Sequence, residues 1–164
     1  MAWDTNIGLS REAWGPRFWK LLHTLAECSG QQSTQIESND EADAWQTLLR
    51  SQAYVMPCSL CKEHYLEWFR THKLDGLRTM VGEERQQFLR RWVWGCHNRV
   101  NLLNQKISPD VDDLPRLYKR IPIEKEMKEL SSMFQLALQK QSLHAEDITR
   151  WKQTLSRLRI MYHV

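Results

Sequence analysis

The chain has 164 residues, 26% of them charged, and a formal net charge of +3. That length accommodates one domain with a substantial core, and so small a net charge argues against nucleic-acid binding. The mean hydropathy is -0.61, as expected of a soluble protein, and no apolar run approaches the roughly 18 to 20 residues that a membrane span needs.

Met1-Ala2-Trp3-Asp4 lacks the basic and then apolar pattern of a secretory signal. The expectation is therefore a compartment where thiols stay reduced, in which a C-x-x-C pair is more often catalytic or metal-binding than structural. No internal repeat or low-complexity segment is visible.

Helical periodicity dominates, with no convincing alternating strand, so the predicted class is all-α. The first helix opens near Trp14-Gly15-Pro16, where Pro is tolerated in an opening turn, and runs to about Cys28. Phe18, Trp19, Leu22, Leu25 and Ala26 give it an apolar face. Residues 29–40 are small and polar and read as a loop ending in an N-cap at Asp40. A second helix, about 41–54, carries Ala42, Trp45, Leu48, Leu49 and Ala53 on one side.

Pro57 introduces a third helix, about 58–71, with Cys58 and Cys61 in its first turn and Leu60, His64, Trp68 and Phe69 at inward spacing. Glu83 to about Lys106 forms the longest helix, through Phe88, Leu89, Trp92, Cys96, Val100 and Leu103. Pro109, Pro115 and Pro122 then break the chain into short pieces. Two more helices follow, about 124–141 and 146–162. They form an αα-hairpin that packs either on the bundle or on another subunit. Residues 119–164 hold nine Lys/Arg against five Asp/Glu, which reads as a solvated face or as a docking surface for an acidic partner.

Three constellations carry chemistry. Cys58-Ser59-Leu60-Cys61 can close a disulfide within one helical turn, and a helix N-terminus lowers a thiol's pKa. On its own the pair is compatible with redox exchange, with a mixed Cys/His metal site, or with coincidence. In Trp92-Val93-Trp94-Gly95-Cys96-His97-Asn98-Arg99-Val100-Asn101, His97, Asn101 and Asn104 recur at i, i+4 and i+7. They form either an interhelical polar network or the wall of a pocket for a polar aromatic ligand. In Trp14-Gly15-Pro16-Arg17-Phe18-Trp19, Gly15 permits close backbone approach, Trp19 offers a flat surface, and His23 lies one turn further along the same face. Arg17, Arg99 and Lys106 are candidate partners for a phosphate.

Taken together and in this order, the three segments resemble the Erv/ALR family of FAD-linked sulfhydryl oxidases. The shared pattern is Trp14-Gly15-x-x-x-Trp19-x-x-Leu22-His23, Pro57-Cys58-x-x-Cys61, and Trp92 followed by His97-Asn98-x-Val100-Asn101 with Lys106. It spans about residues 14–118. The resemblance implies a four-helix bundle with a short fifth helix over residues 1–118, holding FAD in its mouth. Residues 119–164 are then a basic helical C-terminal extension.

The resemblance also implies roles. A protein dithiol, or a thioredoxin-like carrier, attacks Cys58; Cys61 passes electrons to FAD; and dioxygen receives them, giving hydrogen peroxide. Gly15, Trp19, His23, Trp94, His97, Asn98, Val100, Asn101, Lys106 and Tyr118 are the implied cofactor contacts. The family is usually dimeric, and the first two helices can supply that interface, extended or replaced by the tail.

Departures from the family are legible too. The first cysteine of a second, structural disulfide falls at Trp94 here, and Cys96 has no downstream partner, so that disulfide is expected to be absent and Cys28 and Cys96 to be free thiols. No extra C-x-x-C or C-x-C shuttle lies near either end, which suggests that Cys58 meets its partner directly or through a separate thioredoxin-like carrier. The short form, the W-G-P opening and the missing disulfide look like the versions encoded by large cytoplasmic DNA viruses. That implies the host cytoplasm or the virion, with the mitochondrial intermembrane space as the alternative. The competing reading is a zinc-stabilised helical interaction module without enzymatic activity, using Cys58, Cys61, His64 and Cys96 or His97. It leaves Trp14 to His23 and Asn98 to Lys106 unexplained.

Overall fold

The computed structural model describes residues 9–164; the signal-free reading of Met1 to Asp4 falls outside them. Ser10 starts the first helix, α1 (Arg11–Cys28), its hydroxyl accepting from the Ala13 N–H at 3.3 Å. This cap sets the start a turn before the expected one and leaves Pro16 in the second turn. Pro16 is exposed there, so the carbonyl it cannot bond faces water.

The second half of the stretch expected to be a loop over 29–40 is helix. α2 spans Gln35–Ser51, and its N-cap is Thr34 rather than Asp40. Thr34 and Glu37 form a capping box: the Glu37 N–H donates to Thr34 Oγ1 at 3.2 Å and the Thr34 N–H donates to Glu37 Oε2 at 3.2 Å. Two satisfied end groups start the helix despite a polar first turn. A 3-10 turn, Gln52–Val55, then leads to Pro57.

α3 (Ser59–Thr71) has Cys58 as its N-cap, one position outside the expected first turn. Its buried anchor is Tyr65, whose hydroxyl donates to the Leu49 carbonyl at 2.5 Å. Leu60, expected to face inward, is 53% exposed. α4 (Gly82–Leu103) ends before the expected Lys106, because Gln105 takes a left-handed φ of 56° and the Lys106 N–H turns back to the Asn101 carbonyl at 2.8 Å. Leu103, beyond the last buried turn, is exposed.

A short α5 (Leu114–Tyr118) follows, then α6 (Glu124–Gln139) and α7 (Ala145–Tyr162). The observed architecture is the expected four-helix bundle with a short fifth helix and a C-terminal helical extension.

The extension lies on its own bundle. Phe18 of α1 meets Phe134 at 6.2 Å and Trp151 at 5.5 Å between ring centroids. Lys20 binds Glu126 at 2.6 Å, and Arg17 pairs with Glu129. Over α2, the Trp45 indole N–H donates to the Tyr162 hydroxyl at 2.7 Å. Burying large apolar side chains such as Phe134 and Trp151 stabilises by about 1.5–3 kcal/mol each. One continuous core results, running through bundle and extension.

At its edge sits a fully buried ion pair, Arg85 to Glu41 at 2.7 Å, with Glu41 also accepting from the Gly30 N–H at 2.9 Å and the Tyr162 hydroxyl at 2.6 Å. Gly30 is required there. Its φ is +78°, and a Cβ would lie 2.1 Å from the Gly82 carbonyl oxygen.

Candidate functional site

Cys58 and Cys61 are joined as a disulfide with Cα atoms 5.2 Å apart. As the N-cap of α3, Cys58 occupies extended backbone, and its sulfur accepts the Cys61 N–H at 3.2 Å. The first amides of a helix carry unsatisfied donors and partial positive charge. Cys58 is therefore the sulfur that this geometry stabilises as a thiolate.

Cys61 points elsewhere. It lines a cavity of about 470 Å³ bounded by α1, the turn through Gln52 and Met56, the start of α3, the end of α4, and Tyr118 of α5; Cys58 does not line it. A more open groove of about 540 Å³ runs between Trp68 and Arg91, but no cysteine borders it. The cavity at Cys61 is thus the one tied to the sulfur chemistry. Its volume lies within the usual range for small-molecule sites.

Of the implied cofactor contacts, Gly15, Trp19, His97, Val100, Asn101, Lys106 and Tyr118 line this cavity. Gly15 is buried in α1 with nothing within 4 Å of an added Cβ, so its want of a side chain leaves cavity space open. Asn101 donates through Nδ2 to Ser108 Oγ at 2.9 Å, which orients its carbonyl oxygen and pins the loop after α4.

His23 sits behind the wall rather than in it. Its Nε2 is 3.0 Å from His97 Nδ1, so one ring donates and the other accepts. Trp19 stacks on His97 with centroids 4.4 Å apart and planes 7° from parallel, while Tyr118 stacks on His23 at 4.6 Å and 17°. Burial, and then the charge of His97, push His23 down to about 3. Burial, and then Lys106, push His97 down to about 4. Both rings are neutral near pH 7.

Trp94 and Asn98 do not line the cavity. The Trp94 indole N–H donates to the Pro109 carbonyl at 2.9 Å, which secures the loop beyond α4. Two of the candidate phosphate partners are also engaged elsewhere, Arg17 with Glu129 and Arg99 with Glu67 at 2.9 Å. Lys106 remains as the cation among those three that borders the cavity.

Gln52, Met56 and His64 line the cavity and were not among the expected contacts. Gln52 is the telling one. It has no exposed surface, its Oε1 accepts from the Trp151 indole N–H at 2.9 Å, and its Nε2 has no partner among the described residues. The only hint in the sequence is one amide within the largely apolar run that precedes Pro57.

The zinc reading finds no support. Its two cysteines are bonded to each other, and no group of three or more His, Cys, Asp or Glu side chains is placed to hold a metal among the described residues. Cys28 and Cys96 are free, as expected. Burial pushes both thiols upward, Cys96 the further, so neither is a reactive thiolate.

Residues 16–122 match the Erv1 / Alr family. Two curated relatives are each 30% identical over 95 residues, covering 57% of this chain and 71% of the relative. Both are described as "FAD-linked sulfhydryl oxidase" and come from African swine fever virus, one from a Kenyan pig isolate and one from a Malawian tick isolate. No solved structure matches the chain.

Proposed function

We propose that this chain, which belongs to the Erv1 / Alr family, is an FAD-dependent thiol oxidase that forms disulfide bonds in protein substrates. One observation carries the reading: Cys61 borders a ligand-sized cavity, while its bonded partner Cys58 holds the helix-capping position outside it. Such a disulfide has one sulfur for the substrate and one for the acceptor.

The cavity suits FAD by the chemistry of its walls. Trp19, backed by His97, offers a flat surface for an aromatic ring, and Asn101 and Lys106 offer donors and a positive charge for polar and anionic groups. Gly15 keeps the α1 wall open. When bound, FAD supplies a two-electron acceptor for the reduced pair and a route onward to dioxygen, with hydrogen peroxide as the product.

The residues of the chain perform the thiol exchange. A substrate thiolate attacks Cys58 Sγ, forming a mixed disulfide and breaking the Cys58–Cys61 bond, and Cys61 leaves as the thiolate inside the cavity. A second substrate thiolate then attacks the substrate sulfur of the mixed disulfide, and the substrate leaves oxidised. Cys58 departs as a thiolate stabilised by the Cys61 N–H and the α3 terminus. His23 and His97, neutral and hydrogen-bonded, hold Trp19 and Tyr118 in place without adding charge.

The setting we infer is a viral protein working in the host cytoplasm, where disulfides are otherwise rare; the two viral relatives support it. The substrate is a protein dithiol or a thioredoxin-like carrier that reaches Cys58 directly. The dimer implied by family resemblance would need a surface other than α1 and α2, since α6 and α7 cover these helices.

The test is to purify the protein, record its visible spectrum and measure oxygen uptake with a dithiol substrate. A yellow protein that consumes oxygen and releases peroxide supports the reading. A colourless protein with stoichiometric zinc would sink it.

A further inference from the structure

We propose that Gln52 positions the flavin: its side-chain NH2 donates to an acceptor atom of the flavin ring, and Trp151 of the C-terminal extension aims it. The proposal rests on the oxidase reading above.

Gln52 opens the 3-10 turn that leads to the redox pair, has no exposed surface, and lines the cavity together with Met56 and Cys61. Its Oε1 accepts from the Trp151 Nε1–H at 2.9 Å. An indole nitrogen only donates. Turning the carboxamide over would therefore set its NH2 against another donor, and the orientation is settled by Trp151 rather than by convention.

The consequence is that Nε2 is the group left over. It is buried and has no acceptor among the described residues. Buried polar groups in folded proteins are nearly always paired, so an orphan donor on a cavity-lining residue points to an acceptor on the ligand, a carbonyl oxygen or a ring nitrogen. The part of the ligand concerned follows from the wall. Gln52, Met56 and Cys61 lie on consecutive segments, and the ring that takes electrons from Cys61 must lie against them. Lys106, just beyond the end of α4, suits the phosphate end instead.

Trp151 lies outside the segment 16–122 that matches the family. The extension thus acts on the cofactor site from behind its wall through one side chain, with Gln52 as the relay. This gives residues 119–164 a role in tuning the flavin as well as in packing.

The experiment uses the full chain loaded with FAD, and reads flavin affinity from fluorescence, the flavin's visible absorption, and thermal unfolding of the flavin-free protein. Gln52→Met keeps the volume and removes the donor. It should weaken FAD binding about tenfold, the worth of one buried hydrogen bond, and shift the absorption. Trp151→Phe keeps a ring in the core and releases the carboxamide, and should give a smaller change in the same direction.

The double variant should be no weaker in FAD binding than Gln52→Met alone, because both changes act through one group. Loss of thermal stability is expected in either variant, since each leaves an N–H or C=O unpaired, and it does not move the spectrum by itself. Unchanged affinity and spectrum in folded Gln52→Met would overturn the proposal. Should that variant not fold, unchanged affinity and spectrum in Trp151→Phe overturns it. A wild-type chain that binds no FAD refutes the oxidase reading instead, and does so before any substitution is made.

Discussion

The backbone N–H of Cys61 donates to the sulfur of Cys58 at 3.2 Å, so the cavity-facing half of the redox pair helps to stabilise the attacked half. The two cysteines are therefore unequal before any substrate arrives. Cys58 is the better thiolate, and Cys61 is the one that faces the cavity.

Substituting each cysteine tests this asymmetry. Cys58→Ser and Cys61→Ser should both abolish thiol-dependent oxygen uptake while leaving flavin bound, as read from the visible spectrum. With Cys61→Ser the remaining Cys58 should accumulate a mixed disulfide with an activated substrate thiol, and Cys58→Ser should trap far less. Full activity in either single variant would refute the relay.

The His23–His97 pair makes stability fall with acid. Both folded pKa values, about 3 and about 4, lie below the ordinary histidine value of 6.5. As pH drops from about 6.5 towards 4 and below, the unfolded chain gains protons that the folded chain refuses, so folding free energy is lost across that window. Each unit is worth about 1.4 kcal/mol, and the coupled pair should cost several kcal/mol in all. Denaturant unfolding at pH 7 and pH 4.5 measures it; His97→Asn should flatten the profile.

Glu41 and Arg85 are both fully buried, and Arg85 Nε and Nη2 lack partners among the described residues. Arg85→Met should destabilise by about 3–5 kcal/mol, because it strands the carboxylate. Tyr162→Phe removes one donor to Glu41 and the acceptor of the Trp45 indole N–H, and should cost about 1–3 kcal/mol. Urea titrations that show no loss for Tyr162→Phe would mean that the end of α7 does not bind the core in solution.

Gly95 sits within α4, where Gly→Ala normally stabilises by roughly 1 kcal/mol through helix propensity. Here the added Cβ would meet Trp68 Cη2 at 2.7 Å. Overpacking of that kind costs about 1–3 kcal/mol, so the sign should reverse. A raised melting temperature for Gly95→Ala would show that Trp68 moves aside freely.

Much of this protein was legible along the chain. The all-helical class and the tail hairpin follow from apolar spacing and from Pro57, Pro109, Pro115 and Pro122, since helix faces and helix breaks are local properties, whereas the four-helix bundle with a short fifth helix follows from the family resemblance. The start of α2 was missed because a Thr34–Glu37 capping box outweighs a polar first turn, although the pattern was present to be read. Leu60 and Leu103, at inward spacing by periodicity, are accessible because they border the open cavity at Cys61, and spacing along a helix does not reveal where a core gives way to a pocket.

The sequence by itself determined the class of chemistry through the family resemblance that its motifs carry: Cys58 and Cys61 at one-turn spacing after Pro57, with Trp19, His23, His97 and Asn101 at helical intervals, are short-range facts that need no fold. Only the tertiary structure decided which sulfur faces the cavity, that Trp94 and Arg99 are bonded elsewhere, and that Trp151 holds Gln52. Residues 52 and 151 come together because α7 folds back over α2 and the turn beyond it. That return is driven by burial of Phe134 and Trp151 on Phe18, and burial of apolar surface carries no directional mark in the sequence that names its partner.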